Sequence, residues 1–210
     1  IEFTCYSKLR TLLHFWKAGI PIPKTVYVPC DATDTLKNGR EIHNENDIAD
    51  LLQDEISLDQ GIVVKPDAGT HGKGMVLSKT RDQLINSIQE TKPSIINPVG
   101  VTAQEVVEKW FYDLRIIAYK EKGKPVVCHP VALARGGFKD FRTNTYLGNT
   151  VFDAKIPPQI QEIAVKCGEA LSHSEAWVLA LDAMVDVGEN KTVSATELQS
   201  ELEKASAEFE

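Results

Sequence analysis

Residues 61–77 read GIVVKPDAGTHGKGMVL, and this stretch decides the fold prediction. A short apolar run ends at Pro66, a glycine-rich segment follows, and a second apolar run begins at Met75. Two such runs separated by glycines predict a β-hairpin with a glycine-rich tip. The backbone N–H groups of such a tip can wrap an anion, and Lys65 and Lys73 would add positive charge beside it. The spacing does not fit the Walker pattern and no helix follows directly, so a simple tight turn stays open as the commoner alternative.

Length and composition predict a globular protein of one large domain or two small lobes. The chain has 210 residues, of which 42% are hydrophobic and 25% are charged. Its net charge of -7 disfavours a nucleic-acid partner, and no apolar run approaches the roughly 20 residues of a membrane helix. No secretory signal is visible, and the four scattered cysteines form no C-x-x-C pair, so we expect a cytoplasmic protein with reduced thiols. The oligomeric state is left open, with a homo-oligomer possible.

Outside the hairpin, the apolar spacing predicts both helices and strands. The predicted helices are 7–18 with Ser7 as N-cap, one capped by Asn46, 80–89, and one that starts at Pro157 and Pro158. The predicted strands are 25–28, 61–66, 75–77, 103–107, 114–119, one from Val126 that extends to Ala134, and a closing hairpin of 178–187 with 192–198. The connector 92–100 contains two prolines and predicts a boundary between two α+β lobes.

Two acidic residues are predicted on adjacent strands of the closing hairpin. Asp182 and Glu197 are both flanked by apolar residues, and an unpaired carboxylate in a core costs several kcal/mol. A cation between them would relieve that cost, and oxygen ligands favour magnesium. The alternative is that both side chains face solvent on an edge hairpin.

Three arginines lie in or beside the predicted meander of the second half. They are Arg115, Arg135 and Arg142, and Asn144 follows the last of them. Guanidinium groups suit phosphate and carboxylate partners alike. For any one arginine, a surface ion pair is the more common role.

The order of these features is more specific than any one of them. The motifs are Lys8, AGIPIPKT at 18–25, VVKP at 63–66 with its hairpin, QEVV at 104–107, DLRI at 113–116, FRTN at 141–144, LDAM at 181–184 and TELQ at 196–199. This order resembles the ATP-grasp superfamily, specifically its RimK-like branch of carboxylate–amine ligases. The likeness runs from about Lys8 to Gln199 and does not include the domain that precedes the ATP-grasp fold in that family. The chain departs from the family at Gln199, where the family has asparagine.

The resemblance implies a fold, a set of domains and a set of ligands. The fold would be α+β, with two lobes built on antiparallel sheets and an ATP cleft between them. Residues 1–24 would form the leading helix and linker of the central lobe, 25–100 the lid lobe, and 101–210 the C-terminal core lobe with the metal site. ATP and Mg2+ would be the cofactors.

The resemblance also implies roles for individual residues. The ATP-binding residues would be Lys8 and Lys65 on the phosphates, Gly69, His71, Gly72, Lys73 and Gly74 in the lid loop, and Gln104, Glu105, Val106 and Val107 in the hinge beside adenine. Asp182, Glu197 and Gln199 would hold magnesium. Arg115 and Arg142 would contact phosphate or the acyl-phosphate, with Asn144 at the substrate end.

By the same resemblance, ATP would phosphorylate a carboxylate, and an amine would then attack to form an amide, with release of ADP and phosphate. The acceptor could be an amino acid, a peptide tail or a carrier protein. Two other readings stay open: a nucleotide-binding regulatory module without catalysis, and a small-molecule kinase on the same fold.

Overall fold

The computed structural model describes residues 2–29, 41–68, 74–91, 100–107, 109–136, 150–171 and 174–186. Its helices are α1 (Glu2–Tyr6), α2 (Lys8–Lys17), α3 (Glu45–Glu55), α4 (Arg81–Thr91) and α5 (Pro158–Leu171). Its strands are β1 (Thr25–Pro29), β2 (Ile62–Pro66), β3 (Val76–Ser78), β4 (Gly100–Glu105), β5 (Lys109–Lys120), β6 (Val126–Cys128), β7 (Val131–Gly136), β8 (Thr150–Lys155) and β9 (Trp177–Asp186). None of these helices has the length and apolar character needed to cross a membrane.

The first half of the chain forms a four-stranded antiparallel sheet in the order β1-β4-β2-β3. Helices α3 and α4 pack on it, and their apolar residues share one core with the strands. The buried side chains at its centre include Leu52, Ile62, Leu84 and Ile88. Strand β4, predicted within the second lobe, pairs with β1 and β2, so the change from one sheet to the next follows Glu105. The division into functional lobes at 24 and 100 stays a prediction.

The second half forms a five-stranded antiparallel sheet around the long strand β5. Strand β9 pairs with one edge of β5, while β6 and β7 share the other edge and β8 pairs with β7. Helix α5 packs on one face through Ala164, which joins Ile116 and Ala132 in a core cluster. Helix α5 also contacts β9 at Gly168, where an added Cβ would lie 2.2 Å from the Trp177 ring.

The ends of α2 confirm the helix predicted there. Ser7 has extended backbone, and its side chain accepts a hydrogen bond from Arg10 N, as an N-cap should. The chain leaves the helix through Gly19 at φ 68°, in the left-handed region that glycine adopts readily.

The N-cap predicted for α3 is wrong by two residues. Asn44, not Asn46, accepts from the first turn, and Asp47 completes a capping box.

Three further elements differ from the sequence-based predictions. The single strand expected from Val126 to Ala134 is two strands, because Pro130 has no N–H to donate and β6 ends before it. Strand β8 was not predicted, since its exposed Val151 and Phe152 give no alternation of apolar and polar residues. Helix α1 was not predicted. The second strand of the closing hairpin, 192–198, lies outside the described residues.

Candidate functional site

Two lysines of the first half are brought together by the contact between α2 and the end of β2. Lys8 is the first residue of α2, and its backbone N and Nζ donate to Asp67 O at 3.0 and 3.2 Å. Leu9 N donates to Asp67 Oδ1 at 2.7 Å, so the buried Asp67 carboxylate also caps the helix. Asp67 lies two residues after Lys65, and the contact therefore fixes α2 relative to the strand that carries the second lysine.

Lys65 is anchored by a chain of hydrogen bonds that crosses the first sheet. Its ammonium group donates to Gln104 Oε1. Gln104 Nε2 donates to Thr25 Oγ1 at 2.8 Å, and Thr25 Oγ1 donates in turn to Pro23 O at 2.8 Å. This chain orients the Gln104 amide so that its oxygen points toward the lysine.

The electrostatics of the two lysines favour an anionic ligand. Burial and, to a smaller extent, the nearby charge of Lys8 together lower the pKa of Lys65 to about 8. Burial also lowers the pKa of Lys8, although the charge of Asp67 opposes this shift. Lys65 donates to a neutral amide, and a bound anion would stabilise its charged form far more than that amide can.

The predicted hinge runs from the end of β4 into the connection between the sheets. Glu105 Oε1 accepts from Lys24 N at 2.6 Å, and Glu105 N donates to Lys24 O at 3.0 Å, which ties the hinge to the segment before β1. Glu105 and Val107 border a cavity of about 400 Å3. Its walls are mostly apolar and include α2, residues 20–23, α5 and part of β9. A largely apolar cavity of this size suits a flat heterocyclic base.

Four charged residues form one network on the second sheet. Register pairs Arg115 with Asp182 across β5 and β9, and Asp113 with Arg135 across β5 and β7. Arg115 Nε and Nη2 donate to Asp182 Oδ1 and Oδ2, both at 2.8 Å. Arg135 Nη2 donates to Asp182 Oδ1 at 2.8 Å, and Arg135 also forms a fork with Asp113 at 3.0 and 3.2 Å.

Asp182 is therefore paired, contrary to the expectation of an isolated carboxylate in an apolar core. Strand alternation turns its neighbours Leu181 and Ala183 toward the α5 side, while the Asp182 side chain is 47% exposed on the other face. Burial raises the pKa of Asp182, but the bonds and charges of Arg115 and Arg135 outweigh it, and the net pKa is lowered. The bond to Asp182 raises the pKa of Arg115.

Apart from Val106, which directly follows β4, the remaining predicted site residues divide into two sets. Gly74 closes the glycine-rich segment at φ 73°, and an added Cβ there would lie 3.2 Å from Pro66. The others lie outside the described residues: Gly69, His71, Gly72, Lys73, Arg142, Asn144, Glu197 and Gln199. Of the predicted magnesium ligands, Asp182 alone is described, and the described residues contain no cluster of three or more metal-ligating side chains.

Sequence reasoning missed the supporting residues of both halves of the site. Asp67 follows the VVKP motif directly, and its position after a strand end was a usable signal. Asp113 lies two residues before Arg115 and so shares its strand face, which was a second signal. The pairing of Arg135 with Asp113 could not be read from spacing, because it depends on the register between β5 and β7.

Comparison with known proteins relates this arrangement to a family. The family model described as the RimK-like ATP-grasp domain matches residues 31–208. The α-aminoadipate–LysW ligase LysX of Sulfurisphaera tokodaii is 25% identical over 183 residues, which are 87% of this chain and 55% of that protein. The ribosomal protein bS6–L-glutamate ligase of Shigella boydii is 28% identical over 177 residues, 84% of this chain and 51% of that protein. The chain thus spans about half the length of these relatives.

Solved structures support the fold. The D-alanine–D-alanine ligase of Coxiella burnetii has a TM-score of 0.58 at 13% identity, with 88% of this chain and 44% of that chain covered. N5-carboxyaminoimidazole synthase from Aspergillus clavatus, in complex with ADP and 5-aminoimidazole ribonucleotide, has a TM-score of 0.55 at 13% identity, with 87% and 44% covered. At such identities the likeness shows the fold alone. The match to the family model covers most of the chain, and the chain belongs to the RimK-like ATP-grasp domain family.

Proposed function

We propose that this chain is the ATP-binding and amide-forming part of a carboxylate–amine ligase. The observation that carries the proposal is the pair of half-buried lysines: Lys8 donates to Asp67 O, and Lys65 donates to Gln104 Oε1. Gln104 directly precedes Glu105, which borders the hinge cavity. Both groups have a lowered pKa, and a polyphosphate beside them would stabilise their charged forms. The base would occupy the cavity beside Glu105 and Val107.

Magnesium fits the chemistry of the second half of the proposed site. Asp182 offers carboxylate oxygens on a half-exposed side chain, and hard oxygen ligands suit this ion. Glu197 and Gln199 are proposed to complete the ligand set. When bound, the ion would neutralise phosphate charge during transfer.

The proposed reaction has two steps and requires no protein nucleophile. A carboxylate oxygen of one substrate attacks the γ-phosphorus of ATP, and ADP leaves. The amine of the second substrate attacks the acyl carbon of the resulting acyl-phosphate, phosphate leaves, and the amine loses a proton. In both steps Lys8, Lys65, Arg115 and Arg142 would hold the phosphate oxygens in place.

For the substrates, we propose an amino acid and a protein or peptide acceptor. LysX is named for joining α-aminoadipate to LysW, and the Shigella boydii relative for joining L-glutamate to ribosomal protein bS6. Both names describe the joining of an amino acid to a protein. The same class of pair is proposed here without naming its members.

Trapping of the acyl-phosphate tests the proposal. The chain is incubated with ATP, Mg2+ and a panel of amino acids, with and without hydroxylamine, and ADP and hydroxamate are measured. Hydroxamate that depends on one amino acid supports the ligase. Release of ADP without hydroxamate contradicts it and favours a kinase. Binding of ATP without ADP release favours a regulatory module.

A single variant links the test to the site. Asp182→Asn should abolish hydroxamate formation while ADP still binds, because the change removes a charge from the proposed metal site and keeps the hinge cavity. The matched control is Asp50→Asn, which neutralises the partner of Arg81 in the first half of the chain. If Asp182→Asn keeps wild-type hydroxamate formation, the proposed metal site is wrong.

A further inference from the structure

The two arginines on Asp182 differ in how firmly they are held. Arg135 is 4% exposed, and its guanidinium group is forked to Asp113, which is 7% exposed. Arg115 has 38% of its side chain exposed. Asp182 Oδ1 accepts a hydrogen bond from each arginine, and Asp182 Oδ2 accepts one from Arg115.

This difference determines which arginine can leave the carboxylate. Moving Arg135 away from its pairs would leave its buried guanidinium charge without the two carboxylates, which is strongly unfavourable. Arg115 is partly solvated, and exposed ion pairs contribute little net free energy. Departure of Arg115 would free Oδ2, whereas Arg135 would still hold Oδ1.

We infer that Asp113 is a positioning residue, which holds Asp182 Oδ1 through the buried Arg135 while Arg115 exchanges from Asp182 to the bound magnesium nucleotide. The inference rests on the proposed function. Asp113 itself touches neither the nucleotide nor the ion. It fixes the direction of Arg135 Nη2, and Arg135 in turn fixes the carboxylate that faces the ligand.

A purely structural role for Asp113 predicts a different outcome. If the Asp113–Arg135 pair contributed only to folding, replacing both charges by neutral residues would restore stability and ligand binding together. If Asp113 positions Asp182, the neutral pair restores stability alone. Comparison of the single and double variants separates the two roles.

The experiment measures ADP affinity by calorimetry with and without Mg2+, on the 210-residue chain. The variants are Asp113→Asn and the double variant Asp113→Asn with Arg135→Gln, and Asp50→Asn is the control because it breaks the exposed Arg81–Asp50 pair. Thermal denaturation of each protein reports folding. For wild type, Mg2+ should tighten ADP binding.

In Asp113→Asn, the enhancement by Mg2+ should fall by about tenfold, since residues that support a metal ligand typically change affinity by this much. Affinity for ADP without Mg2+ should stay within about twofold of wild type, because the lysines and the hinge are unchanged. The double variant should regain thermal stability and still lack the enhancement. Asp50→Asn should behave as wild type. If the single variant does not fold, the double variant alone carries the comparison.

Two results would overturn the inference and leave the proposed function standing. One is that Mg2+ enhances ADP binding in Asp113→Asn as much as in wild type. The other is that the double variant fully recovers this enhancement. A wild-type chain that binds no ADP under either condition would overturn the proposed function, and the role of Asp113 with it.

Discussion

Replacement of Lys65 by methionine tests whether the first half of the site holds a buried cation at a cost in stability. In the folded protein, burial and then the charge of Lys8 lower the pKa of Lys65 from 10.5 to about 8. The unfolded chain keeps the ordinary value, so between these two values it binds more protons than the folded protein. Since one pKa unit corresponds to about 1.4 kcal/mol, holding this lysine charged at pH 7 costs about 3 kcal/mol.

The sign of the pH dependence follows from this difference. The destabilisation is fully present below the folded-state pKa of about 8 and is relieved as the pH rises toward 10.5. Between pH 7 and pH 9, the wild-type protein should gain about 1 kcal/mol relative to Lys65→Met. The variant also leaves Gln104 Oε1 without its donor, but that loss is the same at every pH and cancels from the comparison.

Urea denaturation at pH 7, 8 and 9 measures the effect on wild type, Lys65→Met and a control. The control is Lys79→Met, because Lys79 is exposed and follows β3 at the end of the hairpin opposite the glycine-rich segment. The control should parallel wild type, while the gap between wild type and Lys65→Met should change by about 1 kcal/mol. Parallel curves for all three proteins would refute the buried-cation argument.

The same titration should govern nucleotide binding. With a pKa of about 8, Lys65 is about nine-tenths charged at pH 7 and about one-tenth charged at pH 9. ADP affinity of wild type should therefore fall about tenfold more across this range than that of Lys65→Met. A variant that binds ADP as tightly as wild type at pH 7 would show that Lys65 does not contact the phosphates.

Two other substitutions test how the fold supports the site. Asp67→Ala removes the acceptor of Leu9 N. It should lower stability by about 1–2 kcal/mol and weaken ADP binding, because it loosens the start of α2 and with it Lys8. The control Ser7→Ala removes the N-cap of the same helix and should lower stability alone. Equal ADP affinities in the two variants would contradict this role. Gly168→Ala should destabilise by about 1–3 kcal/mol in urea, since its Cβ would overlap the Trp177 ring, and an unchanged midpoint would contradict the packing described.

The fold could be predicted where local patterns and tertiary packing agree. Apolar spacing placed α2 and its Ser7 cap, and the runs on either side of the glycine-rich segment placed β2 and β3 within a residue or two. The exposed strand β8 has no such pattern, and the sheet membership of β4 depends on pairing with β1 and β2, which sequence spacing does not encode.

The site was predictable in its charged residues and not in their partners. The sequence singled out Lys65, Arg115 and Asp182, and their proposed roles stay predictions. The sequence could not show which of these charged side chains are paired, or with which partners. Apolar neighbours along the chain made Asp182 look isolated, because neighbours in sequence point to the opposite face of the sheet, whereas its partners come from strands far away in sequence.

The two halves of the site hold their charges in opposite states, and this difference bears on the order of events. Lys65 donates to a neutral amide and has a lowered pKa, so a phosphate bound there would stabilise its charged form without displacing a charged partner. Asp182 already pairs with two guanidinium groups, so a metal ion at the proposed site would have to compete with Arg115 for it. In the proposed function, a phosphate bound at the lysines would offer Arg115 an alternative anionic partner and so lower the cost of leaving Asp182. The proposed function therefore predicts that the lysines engage the nucleotide before the Asp182 carboxylate becomes available to a metal ion.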